Sequence, residues 1–327
     1  MKKVIVKKLL EENGYISGGE LSRSLYVSRA AIWKTIKQLE GEGYVFEAST
    51  RKGYRLVSSP DVMTESEVGH YLNTNYMGRK IIYLESVGST NDEAKKMAAK
   101  GAEEGLVIIA EEQLCARGRR GRSWITTRGE SIAASILLRP KLSPEHAFSI
   151  TPVLALSIVQ GLEKETGIKT GIKWPNDIVL DKKKLCGILT EMNADMDMIN
   201  YIVVGMGMNI NQLSFPKDTS DIATSLRIHC GNVLSRKRIL ASILNCFEKN
   251  YEVYVREGLK PMVSLLKEYS VVLGKHIKLV SPNAEREGTA IDMDSQGGLI
   301  VRLDTGETIT VISGDVSVRG LYDIMQV

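Results

Sequence analysis

The sequence predicts a multidomain α+β protein, and three observations carry that prediction. At 327 residues the chain is long enough for more than one hydrophobic core. Its head holds short helical patterns followed by a basic hairpin, while its middle alternates strand-like apolar runs with helical stretches. Its tail alternates short strands with turns.

With 43% hydrophobic and 25% charged residues, the composition is that of an ordinary folded chain. No apolar run approaches the roughly 18 residues of a membrane helix. The opening MKKVIVKKLLEENGY lacks a long apolar stretch and a small-residue cleavage site, so a cytoplasmic location with no membrane contact is expected. Cys115, Cys186, Cys230 and Cys246 form no CxxC pair and the four histidines are scattered. Reduced thiols and no structural metal follow.

The net charge of +4 is unevenly spread, because residues 1–60 carry eleven basic against six acidic side chains. The head alone has the charge that attracts a polyanion. In ISGGELSRSLYVSRAAIWKTIKQLEGEGY, Leu21 and Leu25 mark a first helix. Ser28 stands as N-cap of a second, whose Ile32, Ile36 and Leu39 form an inward stripe. Ser28, Arg29, Trp33, Lys34 and Lys37 are left near its start and outer face, where a recognition helix meets a major groove. GYVFEASTRKGYRL adds a hairpin tipped by Arg51 and Lys52. Helix-turn-helix plus basic hairpin makes a winged helix over residues 1–60, with DNA the expected partner and protein docking the alternative. Ser58-Ser59-Pro60 is the linker.

Residues 66–270 form the expected second domain. IIYLES, LVIIAEEQ, SIAASILLR, IKWPNDIVL, KLCGILTEM and YIVVGMGMNI read as strands; STNDEAKKMAAKG and HAFSITPVLALSIVQGLEKETG read as helices. Turns such as Asp181-Lys182-Lys183 join successive strands, which favours a mixed sheet with helices on one face. Residues 271–327, with turns at Pro282-Asn283, Gln296-Gly297-Gly298 and Thr305-Gly306, predict a small β barrel.

The chemistry concentrates in ARGRRGRSW, residues 116–124. Its arginines offer forked donors to carboxylate or phosphate oxygens, and Gly118 and Gly121 let the backbone approach a ligand. There is no GxxxxGK[ST] and no complete dinucleotide fingerprint. An exposed basic loop without a ligand is the alternative on these residues alone. Ser89-Thr90-Asn91 adds hydroxyls and backbone N–H groups at a helix start. KWPND (173–177) sets a cation, an aromatic plate and a carboxylate on one strand, Lys184 supplies an ammonium, and GMGMN (205–209) gives close backbone approach with an amide. Together they suit a carboxylate meeting a nucleotide.

These motifs, with Gln113, Trp124 and Lys184-Leu185-Cys186-Gly187, resemble the biotin–protein ligases of the bifunctional type that also represses the biotin operon, over essentially the whole chain. The resemblance implies a ligase domain related to class II aminoacyl-tRNA synthetases. It implies activation of biotin by ATP with Mg²⁺ to biotinyl-5′-AMP, then transfer to a lysine of a biotin carboxyl carrier domain. Ser89, Thr90, Asn91, Gln113, Arg117, Gly118, Arg119, Lys184 and Gly187 are the implied substrate contacts, and Trp124, Lys173, Asn176 and Asn209 the nucleotide contacts. Lys184 and Arg119 are the implied catalytic cations; Asp177 is assigned to orient the reacting groups. Operator DNA and a homodimer formed with biotinyl-5′-AMP as corepressor complete the expectation. Two positions depart from the family, which usually has glycine at Ala116 and alanine or glycine at Cys186. The rivals are a biotin-sensing regulator with little catalysis, a lipoate ligase, and a ligase whose head does not bind operator DNA.

Overall fold

The computed structural model describes residues 1–12, 14–281, 284–312, 314–318 and 321, and the chain divides into two compact units, Met1–Val62 and Met63–Val327.

In the first unit, α1 (Lys2–Glu12) buries Ile5, Val6 and Leu9. Helix α2 (Gly18–Leu25) starts at Ser17, whose side chain accepts from the Glu20 N–H, and ends at Tyr26 in the left-handed region. Helix α3 (Arg29–Gly41) is capped by Ser28, whose Oγ accepts from the Ala31 N–H at 3.2 Å. Ile32, Ile36 and Leu39 pack against Ile5, Leu9 and Leu21, as their spacing predicts. Strands β1 (Val45–Ser49) and β2 (Gly53–Ser58) form the antiparallel hairpin. The unit is a helix-turn-helix with its wing.

The second unit begins with α4 (Glu65–Gly69), β3 (Ile81–Leu84), α5 (Thr90–Ala99), β4 (Val107–Ala110), β5 (Ser131–Leu138) and α6 (Ile150–Thr166). It continues through β6 (Gly171–Lys173), β7 (Asp177–Leu180), β8 (Lys183–Ala194), β9 (Ile199–Asn209), α7 (Leu226–Cys230), α8 (Arg236–Glu257) and α9 (Val263–Tyr269). The strands make a seven-stranded sheet in the order β3-β4-β5-β9-β8-β7-β6, parallel only between β3 and β4. Asp181 and Lys182 take positive φ, as a two-residue hairpin between β7 and β8 requires.

The expectation of helices on one face is corrected. Alternate strand residues such as Val107, Ile136 and Val204 pack with α6 and α8, whereas Ile108, Leu137 and Val203 face Ala94 and Ala98 of α5. Helix α5 covers only part of that second face. Val203 is followed on it, two residues at a time, by Gly205, Gly207 and Asn209. This uncovered stretch becomes the floor of a cavity. Helix α8 escapes the sequence reading because its first turn carries Arg236 and Lys237. Both are buried by ion pairs with Glu111 and Glu67, distant in sequence.

The tail also differs from expectation. Strands β10 (His276–Ser281), β11 (Ala284–Met293), β12 (Leu299–Leu303), β13 (Thr308–Val311) and β14 (Asp315–Val318) form an open antiparallel sheet in the order β13-β12-β11-β10-β14. Among the described residues no pairing joins β13 to β14, so the barrel is not closed. The turns near residues 296 and 305 form as expected, while that at Pro282-Asn283 lies outside the described residues. The tail docks on the large sheet: Trp174 Nε1 donates to Gly297 O at 3.0 Å and Ser149 Oγ to Gln296 O at 2.8 Å.

Candidate active site

A cavity of about 380 Å³ lies over the exposed stretch of β8 and β9. Its walls are the start of α5, the arginine loop, the β7–β8 strands and a strap spanning residues 212–223. Ser89, Thr90, Asn91, Gln113, Arg117, Gly118, Arg119, Trp124, Asn176, Asp177, Lys184, Gly187 and Asn209 all line it.

At the α5 end the polar groups are bonded to one another. Gln113 Oε1 accepts from the Thr90 N–H at 2.9 Å and from Thr90 Oγ1 at 3.0 Å. Ser135 Oγ donates to Asn91 Oδ1 at 2.6 Å, and Asn91 Nδ2 donates to Glu191 Oε2 at 2.7 Å. Asn91 reaches this position because Gly205 has no side chain; a Cβ there would collide with the Asn91 amide. Such mutual bonding holds these side chains in one rotamer and fixes the shape of the site.

The middle of the cavity holds the charge. Lys184 Nζ lies 2.8 Å from Asp177 Oδ1, with Asp177 almost wholly buried. The same ammonium stands 5.7 Å from the centroid of the Trp124 ring. The indole rests on Gly207, where a Cβ would overlap its nitrogen edge. Around it, Arg119 Nη1 donates to Asn176 Oδ1 at 3.2 Å and Arg117 Nη2 to Asp92 Oδ2 at 2.5 Å. The Lys95 ammonium, with Arg117, holds the Asp92 carboxyl below its ordinary range. Arg120, in the left-handed region, donates to Val280 O at 3.0 Å and ties the loop to β10.

The loop is also anchored at its far end. Glu111 accepts from the Gly129 N–H, Tyr83 Oη and Arg236 Nη1, at 2.8 to 2.9 Å. Burial pushes this carboxyl up, but those donors outweigh it and hold it below the usual carboxylate range.

One expectation from the sequence is corrected, and the two departures from the family are located. Lys173 does not reach the cavity wall: it is 1% exposed, at the end of β6 opposite Asp177. Cys186 faces the core and not the ligand side, and burial pushes its thiol up. Ala116 lines the cavity outside the left-handed region, so its Cβ is accommodated. Sequence reasoning missed the supports Asp92, Ser135 and Glu191, and the strap with Phe215, Thr219 and Ile222. The strap is held at Lys184, whose N–H donates to Ile222 O at 2.7 Å and whose carbonyl accepts from the Thr224 N–H at 3.0 Å.

In the separate N-terminal unit, Arg29, Trp33, Lys34 and Lys37 are exposed on α3, Trp33 by 56%. Arg51 and Lys52 are exposed at the hairpin tip. Ser28 is engaged as the helix cap, and Lys37 pairs with Glu40 at 2.7 Å.

Residues 83–209 match the biotin/lipoate A/B protein ligase family, residues 2–55 an HTH domain, and residues 272–319 the biotin protein ligase C terminal domain. The chain is 38% identical over 324 residues to the bifunctional ligase/repressor BirA of Bacillus subtilis strain 168, covering 97% of this chain and 99% of that relative. It is 28% identical over 311 residues to BirA of Escherichia coli strain K12, covering 95% of each. It also resembles a solved biotin protein ligase from Aquifex aeolicus in complex with biotin and ATP, with a TM-score of 0.64, 27% identity, and 74% of this chain and 99% of that one covered.

Proposed function

The chain belongs to the biotin–protein ligase family in its bifunctional ligase/repressor form, and on that premise we propose which residues carry each part of the work. It is an ATP-dependent biotin–[acetyl-CoA-carboxylase] ligase and a transcriptional repressor; operator DNA and a biotin carboxyl carrier domain are its partners.

The observation that carries the assignment is the row Gly205, Gly207, Asn209 along one face of β9. At about 3.4 Å per residue it spans about 14 Å, a length suited to an extended conjugate. Biotin's ring head meets the amide and hydroxyl groups of Ser89, Thr90, Asn91 and Gln113. Its carboxylate lies toward Lys184, Arg117 and Arg119, with Gly118 and Gly187 allowing close approach. The nucleotide takes the end formed by Trp124, Asn176 and Asn209. A carboxylate oxygen attacks the α-phosphorus of ATP, the bond to the bridging oxygen breaks, and pyrophosphate leaves. Charge that builds on the phosphoryl oxygens is stabilised by Lys184 and Arg119, fixed in place beforehand by Asp177 and Asn176. In the second step the carrier lysine attacks the acyl carbon and AMP departs.

Mg²⁺ enters with ATP as part of the co-substrate, since it binds phosphates and water with few protein ligands. The kinship with class II aminoacyl-tRNA synthetases is supported by a mainly antiparallel sheet flanked by helices, together with adenylate chemistry. Residues 271–327 are assigned as a third domain that braces the arginine loop through Arg120. On the N-terminal unit, Arg29, Trp33, Lys34 and Lys37 of α3 meet bases or phosphates, and Arg51 and Lys52 meet the backbone. Biotinyl-5′-AMP is the corepressor, and the operator-binding form is a homodimer. A DNA partner is consistent with a cytoplasmic location.

Biotin-dependent exchange of labelled pyrophosphate into ATP tests the ligase assignment. Exchange that requires biotin is expected; exchange with lipoate in its place, or none at all, overturns the reading.

A further inference from the structure

Glu191 lies on β8 opposite Val203, two residues past the cavity-lining pair Leu189 and Gly205, where α5 begins to cover the sheet. It does not line the cavity, yet both of its oxygens are committed to residues of α5. Oε2 accepts from Asn91 Nδ2 at 2.7 Å, and Oε1 accepts from Lys95 Nζ at 2.9 Å. Asn91 Nδ2 also donates to Leu189 O at 3.3 Å. A carboxylate and a backbone carbonyl only accept, so the Asn91 amide fits one way round; turned over, its oxygen would face two acceptors. The nitrogen therefore points to β8. The oxygen is left over Gly205 on the cavity floor, where an added Cβ would stand 2.1 Å from it. There it takes one bond from Ser135 Oγ at 2.6 Å, and an amide oxygen has a second lone pair.

We infer that Glu191 is a positioning residue that sets the hydrogen-bonding polarity of the ring end of the site through Asn91. With the amide oxygen fixed over Gly205, this wall accepts hydrogen bonds. It favours a ring that carries N–H groups, as a cyclic urea does, over a ring that has none. The ion pair with Lys95 keeps the carboxylate from rotating away from Asn91. The inference rests on the placement of biotin's ring head proposed above.

The test moves the carboxylate from one side of the pair to the other. Equilibrium biotin binding and pyrophosphate exchange are measured for the full-length protein, for Glu191→Gln, for Asn91→Asp and for the double variant. In Glu191→Gln a single amide oxygen must serve two donors, Asn91 and Lys95, and biotin should bind about tenfold more weakly. In Asn91→Asp two carboxylates face each other, with a loss of about tenfold or more. The double variant restores donor, acceptor and total charge. Its new glutamine donates to the new aspartate and still accepts from Lys95, so biotin affinity should return to within about threefold of the wild type. Side chains that only supported the fold would give losses that add, to about a hundredfold. The KM for biotin should follow the affinities, while kcat at saturating biotin stays within about threefold, because the contact lies at the ring end. Additive losses in the double variant, a loss carried by kcat, or wild-type biotin affinity in Glu191→Gln overturns the inference alone. A wild type that does not bind biotin overturns the ligase reading, and this inference with it.

Discussion

Lys184 Nζ and Asp177 Oδ1 lie 2.8 Å apart, the lysine at the start of β8 and the aspartate opening β7. The hairpin turn at Asp181-Lys182 brings the two strands together, so a local backbone feature sets the position of the site's central cation. The carboxylate holds the ammonium beside the Trp124 ring, where the proposed reaction would develop charge.

Replacing Lys184 by Ala is therefore expected to slow adenylate formation by about 10²-fold or more. It also withdraws one partner of a buried carboxylate, so Tm falls. Adding Asp177→Asn should recover Tm without recovering activity. Pyrophosphate release and thermal melts of the single and double variants check this; a wild-type rate in Lys184→Ala removes the lysine from the mechanism.

Gly207→Ala is expected to displace Trp124, because the added methyl group occupies the space of the indole edge. The strand itself accepts alanine, so the fold should persist while the KM for ATP rises by about tenfold or more. Trp124 fluorescence and steady-state kinetics report the two effects independently. Unchanged fluorescence with unchanged KM would place the indole elsewhere.

The parts of this arrangement that sequence could and could not reveal separate on physical grounds. Ser28 and the stripe Ile32, Ile36, Leu39 are local signals, and the head follows from them directly. The glycines at 205 and 207 announce close approach, but only the tertiary structure identifies Asn91 and Trp124 as what approaches. Lys173 sits inside a recognisable motif, and the sheet register nevertheless buries it. The strap over 212–223 has no periodicity to read, since it is held by backbone bonds to Lys184. Glu191 and Ser135 act only through residues about a hundred and about forty-five positions away.

Deleting residues 1–62 should abolish operator binding and leave most ligase activity, as expected of separable units. Full-length binding should weaken steeply as salt rises, through phosphate contacts from α3 and the wing. Gel-shift titrations at several salt concentrations measure both. Equal DNA affinity in the truncated chain would assign the nucleic-acid contact to the arginine loop instead.

Adenylate binding and dimerisation are expected to be coupled in both directions. The arginine loop is held by Arg117–Asp92, Arg119–Asn176 and Arg120–Val280 contacts, and charge-assisted bonds from Arg117 and Arg119 to the adenylate would exchange the first two and reposition it. In the proposed dimer two winged helices would engage a two-fold operator at once. Sedimentation with and without biotin plus ATP-Mg²⁺ should show a shift toward dimer, accompanied by tighter operator binding. A mass and an operator affinity that ignore the adenylate would remove the regulatory mechanism and leave the catalytic one.

The most direct test of the central claim is the intact mass of a biotin carboxyl carrier domain after incubation with this protein, biotin and ATP-Mg²⁺. The account predicts one covalent biotin on a single lysine, dependent on ATP and lost with Lys184→Ala. A carrier that stays unmodified under these conditions, or gains its label without ATP, would contradict it.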